Sequence, residues 1–273
     1  MKIARLTVQG APRAAIVDAA AGILRPPTSE ELARWPLVPG LDVPVLDQAV
    51  PLEGAPLLAP VVPRKVCCIG RNYAAHAAEL GNSVPTRPLL FHKPATAVVG
   101  PGDTIFLPPD SNRVEHEAEL AVVIGTRCRH VPPSSFASVV AGYAVLNDVT
   151  ARDLQRADKQ FARGKGFDTF CPIGPWLETE FDPSDVRVSC EVDGELRQDG
   201  RTAQMIFDVP TLVAAVSRVM TLEPGDVIAT GTPMGVGPLT DGARVSVTVE
   251  GIGTLHNVVA ADPGVPAMPP PIS

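Results

Sequence analysis

The sequence predicts an α+β chain that is mostly β. Three observations carry this: short apolar runs cut by Gly and Pro, few helical periodicities, and an alternating stretch at the start. That stretch, Lys2-Ile3-Ala4-Arg5-Leu6-Thr7-Val8, turns at Gly10 and resumes at Ala14-Ala15-Ile16-Val17, which reads as a hairpin. Residues 26–63 are Pro-rich, lack sustained periodicity and end in LLAPVVPRK, so a linker is expected there. The division is then a small N-terminal unit over 1–60, a large unit over 61–262 and a Pro-rich tail over 263–273. In the large unit, β-runs are expected at 66–69, 89–92, 119–124, 186–192, 227–230 and 245–250. Helical patterns fall at 74–80, 134–140, 151–157 and 209–219. The closing ADPGVPAMPPPIS cannot form a regular ladder and is expected to drape loosely.

Composition narrows the function classes. A chain of 273 residues with 45% hydrophobic content can bury a full core. A formal charge of −7, with no Lys/Arg cluster, argues against a nucleic-acid partner. No apolar run reaches the roughly 18 to 20 residues of a membrane span, and the start lacks a signal peptide's apolar core. A cytoplasmic protein is expected, with no membrane partner. The five cysteines are odd in number and form no C-x-x-C pair, which suits reduced structural thiols.

The chemistry-bearing residues start with Glu117 and Glu119, two apart at the mouth of an apolar run. In a strand, period two points both the same way, and two converging carboxylates favour a bound divalent cation. Oxygen-only ligands select Mg²⁺, Mn²⁺ or Ca²⁺ over zinc. The same E-x-E also suits the solvated face of an edge strand, and the motif alone leaves both open. His116-Glu117 has no second His at the spacing a zinc protease needs. Asp148 follows an apolar run and precedes a helical pattern, where it is either a third ligand or a helix N-cap.

His76 and Glu79 stand three apart on an Ala-rich helical pattern and can touch. A carboxylate beside an imidazole fixes its tautomer and raises its basicity, so His76 is a candidate general base for water; a surface pair fits equally. Lys165 lies between Gly164 and Gly166, either close to an anionic ligand or on an exposed turn. The Gly-rich segment 231–237 matches no nucleotide motif, and its Thr232 offers a hydroxyl or amide to a ligand.

Five motifs follow one another: GRNYxxHxxE at 70–79, ExEL at 117–120, NDVTARDxQ at 147–155, GKGFDTF at 164–170 and GDVIATGTPxGVG at 225–237. In this order they resemble the fumarylacetoacetate hydrolase superfamily, in its acylpyruvase and 2-hydroxyhepta-2,4-diene-1,7-dioate isomerase branch. The resemblance implies a mixed β-roll or β-sandwich catalytic domain with a small N-terminal accessory domain, usually a homodimer. It implies metal ligation by Glu117, Glu119 and Asp148, with Lys165 at the oxo-acid end of the substrate. His76 and Glu79 match the family's lid-borne dyad, and Arg71, Tyr73, Gln155 and Thr232 fall in segments that line its pocket. Glu115-His116 departs from the pattern, since relatives more often carry Asp followed by an aromatic.

The function implied is divalent-metal-dependent hydrolysis of a C–C bond in a small 1,3-dicarbonyl oxo acid of acylpyruvate or fumarylpyruvate type, through an enolate held at the ion. Isomerisation or decarboxylation of hydroxymuconate-type diacids, or decarboxylation of oxaloacetate, shares that enolate and stands as the alternative. A non-catalytic metal or oxo-acid binding protein is the reading from another class; its mark would be a missing ligand or dyad residue, and none is missing.

Overall fold

The computed structural model describes residues 1–264; of the tail expected over 263–273, residues 265–273 lie outside the described residues. Three sheets carry the fold, of twelve, five and three strands. At the centre of the largest lie Ala118–Ile124, Val140–Asn147 and Cys171–Glu178, with Val227–Ala229 and Val66–Gly70 beyond the first of these. They are almost continuously apolar because this sheet is covered on both faces.

Period two sorts their side chains. Leu120, Val122 and Ile124 join one core cluster with Val145 and Ile228. Ala121 and Val123 join another with Ala144, Leu146, Ile173 and Ala229. Glu117 and Glu119 continue the parity of Ala121 and Val123, so both carboxylates emerge on that second face. The antiparallel register sets Ala118 opposite Asn147. The beginning of one strand therefore meets the end of the next, and the Asp148 amide donates to the Glu117 carbonyl at 2.8 Å.

The five-stranded sheet packs on the first cluster through Val188, Val245, Val247, Leu255 and Val259. The expected hairpin forms from Lys2–Val8 and Ala11–Asp18 and extends the large sheet, with Ile3 opposite Leu177 of Cys171–Glu178. Ile3, Ile16, Val38 and Leu41 share the second cluster with Ile173 and Leu177. All five cysteines are free thiols. Burial raises the pKa of Cys68 and Cys171, the latter to about 12, so neither is a thiolate. No helix among the described residues is long and apolar enough to cross a membrane.

One local expectation is corrected, and one strand arises where none was expected. Residues 134–140 do not form one helix: a 3₁₀ turn over Pro133–Ser138 gives way to a strand at Val140, where the β-branched Val139-Val140 pair favours extension and a neighbouring strand waits. Cys171–Glu178 is a central strand despite Pro172 and Pro175, which argue against one. Its register against Val140–Asn147 shifts between Tyr143 and Val145, and Pro175 falls in that irregularity.

Ile173 is fully buried in the second cluster. Ile173→Ala is expected to cost about 2–5 kcal/mol, read as a lower urea midpoint with an unchanged slope of the unfolding transition.

Candidate active site

A cavity of about 350 Å³ opens at the strand ends just described. His76, Glu117, Glu119, Asp148, Lys165 and Thr232 line it, together with Arg71 and Gln155. Tyr73 does not line it. Its hydroxyl is buried without a hydrogen-bond partner among the described residues, and burial beside Glu119 raises its pKa.

The acidic residues are not on a solvated face: Glu117 is 4% exposed and Glu119 2%. Asp148 caps no helix, since the N-cap of Arg152–Asp158 is Ala151. One oxygen from each of Glu117, Glu119 and Asp148 lies within 4.8 Å of the others. Lys165 is not on an exposed turn either. It ends the short helix Ala162–Lys165, is 2% exposed, and places Nζ 2.7 Å from Glu117 Oε2 and 2.7 Å from Asp148 Oδ2.

These pairs belong to a longer chain of alternating charge. Half-exposed Arg113 holds Glu115 at 2.5 Å, and Arg152 donates from Nε to Glu115 at 2.6 Å and from Nη2 to Glu117. Lys165 links Glu117 to Asp148, and Lys93 closes the chain on Asp148 Oδ1 at 2.6 Å. Burial alone would raise the pKa of Glu117, but Lys165, Arg152 and His76 overcome it and hold the carboxyl well below its usual range. Burial opposes the Lys165 charge as well, yet Asp148 and Glu117 raise its pKa, so it stays an ammonium.

Glu119 differs. Its hydrogen bond comes from the Gly231 amide at 2.7 Å, and no cation among the described residues forms an ion pair with it. Burial, then Asp148 and Glu117, push its pKa well above the ordinary value. A buried carboxylate without a counter-charge, next to two others, is what a hard divalent cation satisfies, so the donor set fits Mg²⁺ or Mn²⁺.

His76 stands on Ala74–Glu79, with Nδ1 3.2 Å from Glu79 Oε2. The imidazole is buried at 4% exposure, while Glu79 is exposed at the outer end of the pair. The helix is set by the turn before it: Arg71 takes a left-handed φ of 58°, and Asn72 donates to the carbonyls of Thr230 at 2.8 Å and Phe207 at 3.0 Å. Glu79 also accepts from the Gly235 amide at 3.0 Å, which ties the helix to the Gly-rich loop. That loop needs glycine for packing: at Gly235, with φ +98°, a Cβ would lie 2.1 Å from the Arg197 carbonyl oxygen. Thr232 turns its hydroxyl oxygen to Gln198 Nε2 at 2.7 Å, and Gln155 accepts from Arg152 at 2.6 Å.

Sequence reasoning gave no role to Glu115, Arg152, Lys93 or Gln198. Arg152 lay inside a motif already singled out, and Glu115 at the point of departure from the pattern. Lys93 and Gln198 carried no local signal, since their partners are 55 and about 80 residues away.

A family model described as fumarylacetoacetate (FAA) hydrolase C-terminal matches residues 65–260. Over 222 residues the chain is 44% identical to the mitochondrial oxaloacetate tautomerase Fahd2a of Rattus norvegicus, spanning 77% of this chain and 71% of that protein. The solved 5-carboxymethyl-2-hydroxymuconate delta-isomerase from Mycobacterium smegmatis matches with a TM-score of 0.84 at 43% identity, over 96% of this chain and 100% of the other. Maleylpyruvate hydrolase from Sphingobium sp. SYK-6, solved in complex with manganese (II) ion and pyruvate, matches with a TM-score of 0.77 at 32% identity, over 96% and 99%.

Two predictions follow from the charge arrangement. Since Glu119 has a raised pKa in the metal-free protein, a cation must displace its proton, so affinity rises with pH up to that pKa. Calorimetry of Mn²⁺ binding in buffers of different ionisation enthalpy is expected to show proton release, and Glu119→Gln to weaken binding and abolish the release. Lys93→Met leaves Asp148 with one cation of two, and a loss of about 3 kcal/mol is expected in chemical denaturation.

Proposed function

Since the chain belongs to the fumarylacetoacetate hydrolase family, we propose that it is a divalent-metal-dependent hydrolase cleaving a C–C bond in a small 1,3-dicarbonyl oxo acid of acylpyruvate or fumarylpyruvate type. The observation that carries this reading is His76, backed by Glu79, on the wall of the cavity that also holds the three carboxylates.

Glu117, Glu119 and Asp148 would hold Mg²⁺ or Mn²⁺, which when bound supplies a Lewis acid for the oxygens of the oxo acid. Lys165 lends positive charge to the same end of the substrate. Glu79 accepts from Nδ1–H of His76 and so leaves Nε2 bare as the base. His76 takes a proton from water, and the water oxygen bonds to the distal carbonyl carbon. The adjacent C–C bond then breaks, its electron pair passes to the pyruvate enolate, and the imidazolium returns the proton to the enolate carbon.

A second reading, enolisation or isomerisation of an oxo diacid, has its own support. Arg71, Arg156 and Lys159 line the cavity without an ion-pair partner among the described residues, a wall suited to a second carboxylate. The tautomerase and isomerase relatives point the same way.

The test is the Mg²⁺-dependent loss of the enol ultraviolet band of a simple acylpyruvate. Native protein is expected to turn it over, and His76→Ala to lower kcat by about 10²–10⁴-fold. Full activity in His76→Ala would refute the assigned base. No turnover despite bound Mg²⁺ would refute C–C hydrolysis and move oxaloacetate and hydroxymuconate-type diacids ahead.

A further inference from the structure

Thr232 reaches the cavity from a loop pressed against Glu195–Arg201, a strand of the five-stranded sheet. Two glycines let the backbones meet: besides Gly235, a Cβ at Gly200 would lie 2.5 Å from Pro233 Cβ. Gln198 stands between these contacts, fully buried. Its Oε1 accepts from the Ala118 amide at 2.9 Å and faces His116 Nδ1 at 3.0 Å. Its Nε2 donates to Thr232 Oγ1 at 2.7 Å and to the Pro233 carbonyl at 2.8 Å.

Two of these four partners have no choice of role. The Ala118 amide only donates and the Pro233 carbonyl only accepts, so the Gln198 amide has a single orientation. Both of its N–H groups are then committed, and Thr232 Oγ1 is obliged to accept one of them. A hydroxyl that accepts on a lone pair keeps its own hydrogen for another acceptor, and Thr232 lines the cavity. The same logic puts a hydrogen on His116 Nδ1, while Nε2 is buried without a partner among the described residues.

We propose that Gln198 is a positioning residue: by donating to Thr232 it keeps that hydroxyl a hydrogen-bond donor toward an oxygen of the bound substrate. This rests on the reading of the cavity as an oxo-acid site. Such a donor is worth most where negative charge collects, as on an enolate oxygen, because it is oriented before the charge arrives. Serine at 232 retains the device and valine removes it. Glutamate at 198 still accepts from Ala118 but loses the N–H that Thr232 is obliged to accept, so the hydroxyl hydrogen is drawn to the new carboxyl oxygen and away from the cavity.

The test uses Mg²⁺-loaded protein and oxalate, a planar analogue of the pyruvate enolate, with affinity read by calorimetry. Thr232→Val and Gln198→Glu are each expected to weaken oxalate about tenfold, Thr232→Ser to bind like native protein, and Mg²⁺ affinity to hold throughout. In a Thr232→Val background, Gln198→Glu is expected to add nothing. The proposal is overturned if Gln198→Glu binds oxalate like native protein, or weakens it equally in both backgrounds. Failure of native protein to bind oxalate would overturn the oxo-acid reading itself. A third measurement needs neither ligand nor variant: ¹H–¹⁵N correlation on His116 is expected to show hydrogen on Nδ1, and a neutral ring carrying it on Nε2 overturns the proposal alone.

Discussion

Carboxylates taken out of water must meet positive charge, and this chain buries four within one neighbourhood: Glu115, Glu117, Glu119 and Asp148. Each unpaired ion would cost several kcal/mol even after relaxation. The answer is the alternating series Arg113, Glu115, Arg152, Glu117, Lys165, Asp148, Lys93. Much of the architecture serves it. The end of Leu89–Lys93, the first turn of Arg152–Asp158 and the last of Ala162–Lys165 all converge on two adjacent strand ends of the large sheet. Glu119 is left outside the series, so a proton or a divalent ion completes the site. The capacity of this cluster to hold a cation and the electrostatics of folding are therefore one problem here.

What the sequence made legible follows from locality. Parity along a strand placed Glu117 and Glu119 together, and helical spacing paired His76 with Glu79. The helix over 209–219 was readable from its own periodicity, and the structure shows Asp208 capping it and Pro210 in its first turn. Composition could not show Lys93 reaching Asp148 or Gln198 reaching Thr232, because those pairings exist only once distant strands are in register. Cys171–Glu178 was unreadable for a different reason: its Pro175 falls in an irregularity of the pairing with its neighbour, a property of two strands and not of one. Tyr73, placed near the pocket by its motif, turns inward beneath it.

The Gly-rich loop shows how one segment can serve several masters. Its glycines allow contact with Glu195–Arg201, its Gly231 amide anchors Glu119, and its Gly235 amide anchors Glu79. A carboxylate of the buried acidic cluster and the Glu79 carboxylate beside His76 are thus referenced to the same stretch of backbone. Both anchors are backbone amides four residues apart, so the acid cluster and the His76 helix are tied to one short segment.

The N-terminal hairpin occupies one flank of Cys171–Glu178, pairing Lys2 with Glu178 and Ile3 with Leu177. Left bare, that flank would expose unpaired amides and carbonyls beside apolar Ile173 and Leu177, a template on which another molecule's strand could add. The strand Lys2–Val8 therefore shields that edge from pairing with another molecule's strand, a protective duty separate from any catalysis at the far ends of the same strands.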